Sequence, residues 1–140
     1  MNAVPLTKEE LQQRLAQSNF ISFLGLEVIE AAPDRKEVIM RAAMRPEFER
    51  GAGSAQWHGG PIAAIIDTVG DYALVMMLGR PLPTINFRVD YLKPAVETSL
   101  KVVARVRRSG KSVGVVDVEV SDEGGGLIAI GRATYSTLPA

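Results

Sequence analysis

The chain has 140 residues, 46% hydrophobic and 23% charged, the length and make-up of one globular domain around one core. Sixteen Lys and Arg balance sixteen Asp and Glu, so no global positive field argues for nucleic acid or an anionic membrane surface as a partner. With no cysteine and a single histidine, disulfides, thiolate chemistry and cysteine-ligated metal are excluded, no metal site is expected, and a cytoplasmic location fits.

The opening MNAVPLTKEELQQRLAQ has no basic stretch leading into an apolar one and does not read as a secretory signal. Thr7 followed by Glu10 is a capping-box pattern, which predicts a short amphipathic helix and makes residues 1–24 a peripheral segment of a single domain spanning 1–140. Two alternating runs flank Pro33-Asp34-Arg35, whose turn chemistry predicts a hairpin of Leu26 to Ala32 and Lys36 to Met44. Pro46 to Ala55 reads as irregular.

From Gly60 to about Leu78, Ala, Ile, Leu and Met dominate, and Gly79-Arg80-Pro81 supplies a stop. Such a helix is roughly 28 Å long. Asp67, Gly70 and Asp71 inside it argue against a membrane span. Apart from the Asp67, Thr68, Gly70, Asp71 stripe it is apolar nearly all round, the mark of a helix enclosed by other structure. TINFRVDYL, SLKVVARVRRS, SVGVVDVEVS and GLIAIGRATYSTL then read as four consecutive strands, with turn signals at Ser109-Gly110-Lys111 and at Asp122 to Gly126. The expectation is an α+β domain of hairpin, long buried helix and four-strand meander. The sheet face away from the helix should be partly solvated or a subunit contact.

Two aspartates in a core-like helix need an explanation, because a buried carboxylate is costly unless compensated. Four residues apart, Asp67 and Asp71 share one helix face. They could simply face a solvent gap or a subunit interface. His58-Gly59-Gly60 falls where a helix start exposes unpaired N–H groups, and the side-chain-free glycines let a ligand oxygen approach. Asp67 lies eight residues after Gly59, about 12 Å along the axis, too far for both to grip one carbonyl within a subunit. If both act on one bond, two subunits with neighbouring helices must supply them.

HGGPIAAIIDTVGDYA, with an Asp nine residues after the His, followed by TINFRVDYLKPA, resembles the hotdog-fold acyl-CoA thioesterases of the phenylacetate-degradation type over about Gly25 to Leu138. The resemblance implies an antiparallel sheet of about six strands around one long central helix, and dimers or tetramers with active sites at the dimer interface. It implies Asp67 as general base or nucleophile, and the Gly59 backbone N–H of the partner subunit as the group that polarises the thioester carbonyl. Thr84 matches a family Ser or Thr position near the site. The chain departs from its relatives at Ala52, where many carry Asn or Gln, and at Ala55, usually glycine; Gln56 and Ser54 are the candidate replacements.

Asp67 would either activate a water against the thioester or attack it to give a mixed anhydride. His58 could orient the loop or bond the carboxylate or thioester, or serve as a structural residue at the helix start. Gly60 and Asp71 are candidate substrate contacts. Trp57 and Met76-Met77 read as packing. Coenzyme A phosphates need cations, for which Arg88, Lys93, Arg107, Arg108 and Lys111 are available and Lys93 is preferred. The expected activity is hydrolysis of a small, medium or aromatic acyl-CoA by a homodimer or homotetramer without cofactor. The rivals are a hotdog hydratase or dehydratase and a non-catalytic acyl-CoA sensor.

Overall fold

A computed structural model describes residues 4–139. The first helix, α1 (Lys8–Leu15), opens with the predicted capping box: the Thr7 hydroxyl accepts from the Glu10 N–H at 3.2 Å, and the Glu10 carboxylate accepts from the Thr7 N–H at 3.1 Å. α1 lies against β1 (Leu26–Ala32), yet Leu11 and Leu15 are buried in the main core. A second helix not foreseen from sequence, α2 (Asn19–Leu24), runs from a Ser18 N-cap to a left-handed Gly25. That Ser-to-Gly bracket was its available signal.

β2 (Glu37–Ala42) completes the predicted hairpin with β1, joined by a 3₁₀ turn at Pro33–Arg35. The long helix, α3 (Gly59–Leu78), begins at an N-cap His58 and stops at Gly79, whose φ of 76° suits a residue without Cβ. β3 (Thr84–Tyr91), β4 (Leu100–Ser109), β5 (Val113–Ser121) and β6 (Leu127–Ser136) follow, giving a six-stranded antiparallel sheet in the order β1-β2-β4-β5-β6-β3. The predicted four-strand meander is therefore corrected. β4, β5 and β6 form a meander, but β3 lies at the far edge beside β6, and β4 pairs with β2. Eight residues separate Tyr91 from Leu100, too many for a tight hairpin turn, and this length releases β3 from its sequence neighbour.

The sheet curls around α3, whose Ile62, Ile65, Ile66, Val69, Ala73, Leu74 and Met76 are buried against it. Each of these side chains except the small Ala73 stabilises the fold by about 1.5–3 kcal/mol. α3 is long and apolar enough to cross a bilayer, but here it is the buried core helix. Close approach of helix and sheet explains Gly70 and Gly131. A Cβ on Gly70 would lie 2.6 Å from the Tyr135 hydroxyl, and one on Gly131 2.8 Å from an Ile66 methyl carbon. The outer sheet face is open and charged. Its central rung runs Glu37, Arg105, Asp117, Arg132 and Arg88 across five strands.

Candidate active site

α3 is not covered all round. Along one side Pro61, Ala64, Asp67 and Asp71 remain partly exposed while their neighbours are buried, so the two aspartates stand on the single open stripe of the core helix. The Thr84 hydroxyl donates to Asp67 Oδ1 at 2.8 Å, bringing together two residues singled out from sequence. Strict alternation along β3 would have turned Thr84 outward with Asn86, Arg88 and Asp90. A β-bulge prevents this: Thr84 pairs with Tyr135 and Asn86 with Thr134, leaving Ile85 as the extra residue. Thr84 thereby joins Phe87, Val89 and Tyr91 on the face toward α3. The Tyr135 hydroxyl donates to the Asp67 backbone carbonyl at 2.7 Å and anchors the same turn of the helix.

Asp71 is different in character. Its Oδ1 is buried and has no hydrogen-bond partner among the described residues. Burial first, then the charge of Asp67, pushes its carboxyl up to about 7, against a smaller opposing pull from the Leu82 backbone. Beside this stripe lies an apolar hollow of about 290 Å³, lined by Phe20, Phe23, Leu24, Phe48, Pro61 and Ala64 together with Gly60 and Glu47. Ala64 stands one turn before Asp67, so the hollow opens onto the carboxylate's side of the helix.

The start of α3 builds a second half-site. The His58 side chain caps the helix, its Nδ1 accepting from the Gly60 N–H at 3.4 Å, and the His58 N–H donates to the Phe48 carbonyl at 2.8 Å. The structure thus uses His58 at the helix start; nine residues before Asp67, it is about 13 Å away along the axis within one chain. Among the described residues no acceptor takes the Gly59 N–H. Gly59 borders a groove of about 410 Å³ that also meets Arg50, Gln56, His58, Tyr91 and Lys93. Of the two candidate replacements for the missing family amide, Gln56 lines this groove. The Ser54 hydroxyl instead accepts from the Gly51 and Gln56 N–H groups within its own loop.

The cations divide. Lys93 is at the groove, with Nζ 3.1 Å from Asp122. Arg50, which sequence reading did not single out, joins it. Arg88 points to the outer sheet face, pairs with Asp90 at 3.1 Å, and lies on the other side of the sheet from Asp67. Arg107 is also on that face, 3.5 Å from Asp117. Trp57 is buried, stacked on Phe48 with ring centroids 5.4 Å apart, and its Nε1 donates to the Thr98 carbonyl at 2.9 Å, so packing is its role here.

A curled six-stranded antiparallel sheet around one long helix is the hotdog architecture. Comparison with known proteins bears the fold out. The model of the thioesterase superfamily matches residues 56–129. The Halobacterium salinarum protein named "Putative esterase VNG_1336C" is 31% identical, with 89% of this chain and 88% of that protein covered. A solved structure from the thioesterase superfamily is 31% identical with a TM-score of 0.85, covering 92% of this chain and 96% of that one. The Escherichia coli PaaI protein from the phenylacetic acid degradation operon shares the fold at 21% identity, with a TM-score of 0.81 over 96% of this chain and 98% of its own. The chain belongs to the thioesterase superfamily and is a thioester hydrolase.

Proposed function

We propose that the chain is a cytoplasmic, cofactor-free acyl-CoA thioesterase that hydrolyses a small, medium or aromatic acyl-CoA to the free acid and CoA. The observation that carries this reading is Asp67, held by Thr84 at 2.8 Å on the open stripe of α3, with an apolar, aromatic-lined hollow one turn before it at Ala64. The hollow takes the acyl group, with Gly60 in its wall. Asp71 stands one turn beyond Asp67, on the side away from the hollow, and lines no part of it. The long groove at Gly59 takes the pantetheine arm, and Lys93 with Arg50 meets the phosphates; Arg88, on the opposite side of the sheet, is not needed.

Asp67 takes a proton from water as the water oxygen bonds to the thioester carbon, or bonds to that carbon itself to give a mixed anhydride that water then opens. Either way the carbonyl oxygen gains negative charge, which the Gly59 N–H stabilises; removing one such donor typically slows turnover about 100- to 1,000-fold. Collapse then breaks the C–S bond and expels CoA as thiolate. His58 caps the helix and so fixes the loop that presents this donor.

About 12 Å of helix separates Gly59 from Asp67, so a working site joins Asp67 of one subunit to Gly59 of its partner in a homodimer or homotetramer. β3 supports this assembly. Among the described residues it has a strand neighbour on one side only, and Ile85 and Phe87 on it are 57% and 37% exposed, an unprotected edge of the kind that pairs with another strand. The test is thiol release over a panel of acyl-CoAs. The native chain should release CoA, and Asp67→Ala should lose nearly all turnover while keeping its fold and oligomeric state. Wild-type turnover by Asp67→Ala would overturn the mechanism.

A further inference from the structure

Gly59 and Gly60 lie side by side at the start of α3, and the geometry distinguishes them. The Gly59 carbonyl and the Gly60 N–H belong to one rigid peptide plane. Both ends of that plane are held. The Tyr91 hydroxyl donates to the Gly59 carbonyl oxygen at 2.6 Å, and His58 Nδ1 takes the Gly60 N–H at 3.4 Å. The Tyr91 ring also closes over Gly59, where an added Cβ would lie 3.3 Å from Cζ. The peptide before it is left with its N–H, that of Gly59, unclaimed among the described residues and bordering the groove that Tyr91 also lines. Glycine has the widest backbone freedom of any residue, so two adjacent glycines hold one orientation only when something outside them fixes it. The Tyr91 phenol, already protonated at neutral pH at its ordinary value, is pushed further up by partial burial and so is available as a hydrogen-bond donor.

We propose that Tyr91, at the end of β3, is a positioning residue for thioester hydrolysis: its hydroxyl clamps the Gly59–Gly60 peptide so that the Gly59 N–H is the donor presented to the thioester oxygen. This rests on the thioesterase reading above and adds the device that selects and fixes its oxyanion donor. In this role Tyr91 acts through the Gly59–Gly60 peptide and not by contact with the reacting atoms. A preorganised donor polarises the bound carbonyl weakly and the charge that develops in the transition state strongly, so loosening it lowers kcat far more than it weakens ground-state binding.

The test is Tyr91→Phe, which keeps the ring over Gly59 and removes only the hydroxyl. With the best acyl-CoA of the panel, kcat should fall about tenfold, the equivalent of one ordinary hydrogen bond, while KM stays within about twofold. Unchanged kcat, or a raised KM with kcat intact, would overturn the proposal; the latter would mark Tyr91 as a substrate contact. A second measurement separates positioning from a general loosening of the fold. In an Asp67→Asn background, where the thioester survives, the infrared carbonyl stretch of a bound ¹³C-labelled acyl-CoA reports polarisation directly. Adding Tyr91→Phe should move that stretch back toward its value in solution, and an unmoved stretch would overturn the proposal even if kcat fell. If the wild-type chain releases no thiol from any acyl-CoA, the thioesterase reading itself fails. If it is active and Tyr91→Phe matches it, only the clamp fails.

Discussion

Replacing Asp71 by Asn should make the protein more stable, and more so the higher the pH. In the folded chain the carboxyl is pushed from 3.8 to about 7, mainly by burial and next by Asp67. Between those two values the folded state holds a proton that the unfolded state has released, so stability falls as pH rises through the interval and levels off above it. A displacement of about three units at 1.36 kcal/mol each gives an upper bound of about 4 kcal/mol. Asn cannot ionise and escapes the penalty. For a chain of this length 1 kcal/mol moves the melting temperature by about 3 °C, so the gap between Asp71→Asn and wild type should widen by up to roughly 10 °C from pH 4 to pH 8. Thermal melts of both proteins across that range, at one protein concentration, read it directly. In an Asp67→Asn background the widening should shrink, because one of its two causes has gone. A gap that stays constant with pH, or widens toward acid, would refute the assignment of Asp71 as a buried carboxyl without a partner.

Two further substitutions probe the site's supports. Thr84→Val keeps the side-chain shape and removes the hydroxyl that bonds Asp67; a hydrogen bond to a charged group is worth about 1.5–3 kcal/mol, so kcat in the thiol-release assay should fall at least tenfold, while Thr84→Ser should retain most activity. Ala55 holds φ at 55° in the loop before His58, a conformation that is costly for any residue with a Cβ. Ala55→Gly should therefore stabilise the fold by about 1 kcal/mol in denaturant titration, net of glycine's greater freedom when unfolded.

The helix was legible from its long apolar run and its Gly79 stop, and the hairpin from alternation on either side of the Pro33-Asp34-Arg35 turn, although β1 breaks its own alternation with a bulge at Ile29. Alternation also identified β3 as a strand. It did not tell which neighbour the strand would take, since pairing depends on how the whole sheet curls round the helix; the missing short turn after Tyr91 was the only local hint. At the site, the HGG start and Asp67 were readable from residue type and spacing. Thr84 was readable by family position and misleading by parity, because the bulge at Ile85 leaves no signature in a run of strand-forming residues. Tyr91 looked like one more apolar-face aromatic, and nothing in sequence says that its hydroxyl reaches Gly59 across 32 positions. Arg88 fits a phosphate contact by charge alone, and the pleat carries it to the wrong side of the sheet.

The bulge at Ile85 also bears on how such a site is inherited. Thr84 pairs with Tyr135 and Asn86 with the adjacent Thr134, so loss of the single codon for Ile85 would set Thr84 directly beside Asn86 in ordinary alternation, still facing Asp67. A lineage can therefore drop the extra residue and keep the contact, whereas a shift that pairs Ile85 with Tyr135 would turn the hydroxyl outward without exchanging a single amino acid.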